Sequence, residues 1–185
     1  MNGGHANKIP TTGVFDFPRL ILDGKGKYVD KTDLLYRLAS SKVDYQLFIS
    51  RPRRFGKSLM LSTLKAMFEG RRELFGGLAI DSLPWEGWET PRPVLHFDMS
   101  RLSPSEGRDS MRDSLMGMIR MCAESSGVAL SESSSVGLAF DELIRNVAAM
   151  SGDGRVVVLV DEYDAPGRGC PGHTRGASLD AFLPA

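Results

Sequence analysis

Val156-Val157-Val158-Leu159-Val160 is a run of five apolar residues, too short for a helix of its own and without the alternation of a strand that has one wet face. It reads as a buried strand covered on both sides, and it stops on two carboxylates, Asp161 and Glu162. A second strand is expected at Val94-Leu95-His96-Phe97-Asp98, and a third over residues 45–50, whose β-branched and aromatic content ends before Pro52. Helical spacing lies between them. Met60, Leu61, Leu64, Met67 and Phe68 recur ahead of Gly70, and Phe140, Leu143, Ile144 and Val147 recur ahead of Gly152 and Gly154. Met111, Leu115, Met118, Ile119 and Cys122 follow Ser103-Pro104-Ser105-Glu106, which has the form of a capping box with proline at the first helical position. Strands alternating with helices predict an α/β fold, a parallel sheet flanked by helices.

The connecting segments carry weaker signals. Residues 1–13 hold Gly3, Gly4, Pro10 and Gly13 without periodicity and read as a loose lead-in, with order beginning near Val14. Residues 24–32 read as a turn, an extended piece and the start of a helix capped by Asp30 or Thr32, with Leu34, Leu35 and Leu38 facing inward. Residues 71–93 contain Gly76-Gly77, Pro84, Pro91 and Pro93 and are expected to form an irregular excursion that opens with a short helical turn; Trp85 and Trp88 within it cover a core edge. His96 reads as a core histidine rather than a ligand. Residues 14–166 make up the domain, and residues 167–185 form a Gly/Pro-containing tail with no expected element.

Hydrophobic residues make up 42% of the 185 and charged residues 25%, which excludes a disordered or fibrous chain. The formal net charge is zero, so no domain-wide affinity for polyanions is available and any such site must be local. Two cysteines, Cys122 and Cys170, do not make a disulfide framework. With no leader and no apolar run near the roughly 20 residues that cross a bilayer, a cytoplasmic chain without membrane contact is expected. Cys170-Pro171-Gly172-His173 is half of a zinc site with no second half at suitable spacing.

The local site is the nine-residue stretch Ser50-Arg51-Pro52-Arg53-Arg54-Phe55-Gly56-Lys57-Ser58, set between a strand signal and a helix signal. Backbone amides at such a helix start surround phosphate oxygens, a lysine reaches the outer phosphates, and the following hydroxyl can ligate magnesium. Arg51 stands where a glycine usually opens this pattern, and Arg51, Arg53 and Arg54 could add guanidinium contacts to phosphate. The plain alternative is a surface turn that opens a helix. Asp161 would hold magnesium and Glu162 would act as general base toward the attacking water; the plain alternative there is an acidic turn after a core strand. Arg51, Arg53 and Arg54 with Phe55 could instead serve nucleic acid, a minor alternative on a neutral chain.

Three stretches, Tyr28-Val29-Asp30-Lys31-Thr32, the nine residues above, and Val160-Asp161-Glu162-Tyr163-Asp164-Ala165-Pro166, closely resemble the AAA-ATPase-like family over residues 9–166. In that family the arginine-rich loop without the first glycine is the usual form. The resemblance implies a P-loop fold that binds ATP with Mg2+. Gly56, Lys57 and Ser58 match Walker A and Asp161 and Glu162 match Walker B, with hydrolysis in complete relatives, which often continue into a restriction-endonuclease-like nuclease domain. It implies no role for the Tyr28–Thr32 signature.

P-loop proteins of this class place a later strand, bearing a polar sensor residue, between the Walker A and Walker B strands, and residues 167–185 do not supply it. An incomplete sheet is therefore expected. The rival reading is a non-catalytic truncated remnant or a protein-interaction module, with a homo-oligomer or another protein as partner.

Overall fold

The computed structural model describes residues 16–24, 27–41, 46–49, 55–102, 108–132 and 135–163. Helix α1 (Phe17–Asp23) opens at Asp16, whose side chain accepts the Arg19 N–H at 2.8 Å, and closes at Gly24 in the left-handed conformation. Asp16, Pro18 and Gly24 are an N-cap, a first-turn proline and a C-terminal stop. Helix α2 (Thr32–Ala39) follows; Leu35 is buried and Leu38 packs beside the core, but Leu34 faces solvent. A helix this short has room for only one inward stripe, and Leu34 falls off it.

Helix α3 (Lys57–Phe68) has the bounds its spacing predicts and buries Thr63, Leu64, Ala66 and Met67. The expected strand over 45–50 is not borne out where it is described: residues 46–49 are neither strand nor helix, and Phe48 is 69% exposed. Composition favours a strand only where a neighbour accepts its amides, and the described sheet has two strands, β1 (Val94–Asp98) and β2 (Val157–Asp161), paired in parallel. Just before β1, Pro93 O accepts the Val157 N–H at 3.0 Å.

The excursion at 71–93 is irregular but not peripheral. It forms three 3-10 turns, Arg72–Leu74, Ala79–Ser82 and Glu86–Trp88, and supplies Leu74, Phe75, Ile80 and Trp85 to the main core with Phe17, Leu35, Leu64, Ala66, Met67 and Leu159. Trp85 donates its indole N–H to Met67 O at 3.1 Å and lies edge-on to Phe68, so the expected edge cover is a core residue. Without 3.6- or 2-residue periodicity, these side chains gave no sign of their burial.

The chain divides into two compact units, Met1–Leu95 with Val147–Leu159, and His96–Asn146 with Val160–Ala185. The first holds the core just described. The second holds helix α4 (Arg108–Ser125) and most of helix α5 (Val136–Ala149), with Phe97 edge-on to Phe140 at 5.5 Å and Leu102, Ile119, Ala123, Ala139 and Leu143 buried. The capping box at 103–106 lies outside the described residues. Both strands alternate: Leu95 and Phe97 are buried while His96 is exposed, and Leu159 and Asp161 are buried while Val158 and Val160 are 36% and 38% exposed. Neither the core histidine nor the doubly covered strand is found, because an apolar run specifies burial only where a second layer covers each face.

Candidate functional site

Gly56 takes the left-handed conformation, φ 77° and ψ 26°, at the N-cap of α3. Its carbonyl accepts the Met60 N–H at 2.9 Å, the first bond of the helix ladder, so the amides of Ser58 and Leu59 have no acceptor inside the helix. Among the described residues no side chain caps this end, and no acidic residue stands in the first turn. A first turn whose amides find no acceptor within the helix, at a positive dipole end without a carboxylate, suits an anion. Lys57 and Ser58 are half-buried and Phe55 is exposed. Arg51, Arg53 and Arg54 lie outside the described residues.

Asp161 closes β2 and is buried; its Oδ1 accepts the Glu162 N–H at 2.9 Å, and among the described residues its Oδ2 accepts no hydrogen bond. Glu162 stands at φ 51°, and among the described residues no other side chain-bearing residue has positive φ. That conformation is strained for glutamate, and here it turns the chain at the carboxyl end of a parallel strand. At the end of β1, Asp98 instead accepts the Ser100 N–H at 3.0 Å and its hydroxyl at 2.6 Å, holding the 3-10 turn Met99–Arg101.

The Tyr28–Thr32 stretch has a structural role that sequence reasoning missed. Asp30 Oδ1 accepts the Thr32 N–H at 2.9 Å and the Thr32 hydroxyl at 2.7 Å, while Asp30 Oδ2 accepts the Ala79 N–H at 2.7 Å. Thr32, fully buried, accepts the Ile80 N–H. Burial opposes the charged form of Asp30, but the hydrogen bonds from Thr32 and Ala79 outweigh it and hold its pKa below the ordinary aspartate value. Tyr28 packs edge-on to Phe17 at 5.1 Å, and burial raises the pKa of its hydroxyl against the opposing effect of Thr63. The stretch clasps the second 3-10 turn to the start of α2.

The family model described as "Predicted AAA-ATPase" matches residues 11–171. The chain belongs to the AAA-ATPase-like family. An "Uncharacterized protein in vnfD 5'region" of Azotobacter chroococcum mcd 1 is 36% identical over 159 residues, which cover 86% of this chain and 29% of that relative. The chain thus spans less than a third of the relative's length. No solved structure matches the chain. Membership of the AAA-ATPase-like family supports nucleotide binding at a coarse level. Among the described residues no helix is long and apolar enough to cross a membrane. No group of three or more His, Cys, Asp or Glu able to hold a metal occurs among them either. Magnesium bound together with a polyphosphate needs no such group, because phosphate oxygens and water supply most of its ligands.

Proposed function

We propose that the chain binds ATP with Mg2+, its phosphates lying against the first turn of α3. The observation that carries this reading is the left-handed Gly56 that opens the helix directly into Lys57 and Ser58. The Ser58 and Leu59 amides donate to phosphate oxygens, the Lys57 ammonium balances the outer phosphates, and the Ser58 hydroxyl is a metal ligand. Arg51, Arg53 and Arg54 add charge-assisted hydrogen bonds to phosphate, and Phe55 belongs to the same loop.

We assign metal ligation to Asp161, whose Oδ2 is left available by the Glu162 N–H bond to Oδ1, and general-base action toward water to Glu162. Magnesium, when bound, neutralises charge that develops on the transferred phosphoryl oxygens. The P-loop arrangement of the sheet, and hydrolysis by the longer proteins of the family, belong to the same proposal.

Thermal unfolding with and without Mg-ATP tests it. A ligand that binds only the folded chain at a hundredfold excess over its Kd adds about 2.7 kcal/mol of stability. The parent is expected to gain stability and Lys57→Ala to lose most of the gain; equal gains would remove the assignment. Glu162→Gln is expected to keep the gain, because it removes the general base and none of the phosphate contacts.

A further inference from the structure

Ser62 lies four residues beyond Ser58 on α3, and its Oγ accepts the Phe17 N–H at 2.9 Å. That amide opens α1 and has no acceptor within its own helix, so the bond joins the start of α1 to the middle of α3. Its donor is held firmly. Phe17 is fully buried, with ring centroids 5.1 Å from Tyr28 and 4.9 Å from Phe75. An α-helix turns about 100° and rises about 1.5 Å per residue, so positions 58 and 62 lie within about 40° of azimuth and about 6 Å along the axis. A tether at Ser62 therefore sets the direction in which Ser58 and the first-turn amides point. In the same turns the Thr63 hydroxyl donates to Leu59 O at 2.8 Å.

We infer that Ser62 is a positioning residue for the nucleotide site: by accepting the Phe17 amide it fixes the roll of α3, and so the aim of the Ser58 hydroxyl and the first-turn amides at phosphate. This rests on the reading of α3 as the phosphate-binding helix. A purely structural role would also satisfy the Phe17 amide, but it would not act selectively on the first turn.

The test compares the full chain with Ser62→Ala, Ser62→Cys, Ser62→Thr and, as a control, Ile80→Val, which removes core volume without touching the tether. Two quantities are read: native-state hydrogen exchange of the Met60 amide, whose bond to Gly56 O closes the first turn, and the Kd for Mg-ATP. Losing one hydrogen bond is expected to speed Met60 exchange and weaken Mg-ATP by up to about tenfold in Ser62→Ala. Ser62→Cys, a weaker acceptor that keeps the shape, should fall between, and Ser62→Thr, which keeps the oxygen, should match the parent. Should Ser62→Ala fail to fold, the ordering of the cysteine and threonine variants carries the comparison.

Met60 exchange and Mg-ATP affinity that follow global stability alone, as in Ile80→Val, would overturn the inference. If the parent itself does not bind Mg-ATP, the nucleotide reading and the positioning role fall together. Faster Met60 exchange in Ser62→Ala would then still identify the tether as structural. Binding by the parent that Ser62→Ala leaves unchanged overturns the positioning role alone.

Discussion

The Thr32 hydroxyl accepts the buried Ile80 amide at 3.0 Å across 48 residues of sequence, and its own proton goes to Asp30 Oδ1 at 2.7 Å. With Asp30 Oδ2 on the Ala79 amide, the stretch Tyr28-Val29-Asp30-Lys31-Thr32 satisfies the first two amides of the 3-10 turn Ala79–Ser82, which have no acceptor within that turn. A motif expected only through its family resemblance thereby acquires a physical cause.

Thr32→Val should leave the Ile80 N–H buried without an acceptor and destabilise the fold by about 1–3 kcal/mol, whereas Thr32→Ser should retain most of the stability. Urea unfolding of the two variants measures the difference. Equal midpoints would mean that the hydroxyl contributes nothing.

Gly87→Ala should destabilise by about 1–3 kcal/mol through overpacking. A Cβ built at Gly87 would stand 2.4 Å from Trp85 Nε1, the atom that donates to Met67 O. Trp85 would have to move, so a change in tryptophan fluorescence should accompany the fall in Tm.

At Gly56 the constraint is conformation and not space: among the described residues a Cβ there meets nothing within 4 Å, while φ is 77°. Gly56→Ala is expected to cost about 1–2 kcal/mol, the penalty of an L side chain in the left-handed region, and Gly56→Asn markedly less. If the two variants lose the same stability, crowding and not φ is the cause.

Glu162 carries the opposite signature, a side chain where the backbone disfavours one. Glu162→Asn should raise stability by up to about 1 kcal/mol, because asparagine tolerates φ 51° better. A loss of stability in Glu162→Asn would show that interactions of the glutamate side chain outweigh the backbone strain.

Asp153 sets a pH dependence. The Ser151 hydroxyl first, and then Arg92 with its Nε 2.7 Å away and the Arg155 amide, lower its pKa from 3.8 to about 2 against a smaller effect of burial. A depressed folded pKa contributes stability that is present above the unfolded value and is lost as pH falls through the folded one. The stability difference between the parent and Asp153→Asn should therefore be constant above about pH 5 and shrink between pH 3.8 and about 2. A difference that does not change with pH would contradict the assignment.

Wherever local periodicity carried the information, the sequence was sufficient. Met60, Leu64 and Met67 recur at helical spacing and mark α3, whose bounds the structure repeats, and Val94 to Asp98 is a strand as its composition predicts. The same holds for α5, whose Leu143 and Val147 are buried. The left-handed turn at Gly56 came from the structure, since the sequence marked that glycine only through its family resemblance. The exposure of Leu34, His96, Val158 and Val160, the burial of Phe75 and Ile80, and the clasp from Asp30 and Thr32 to residues 79 and 80 were not legible. Each depends on which distant surface arrives to cover a side chain or accept an amide. Spacing along the chain records the period of a helix or strand, but contacts across 48 or 49 residues leave no periodic trace, so only the assembled fold decides them.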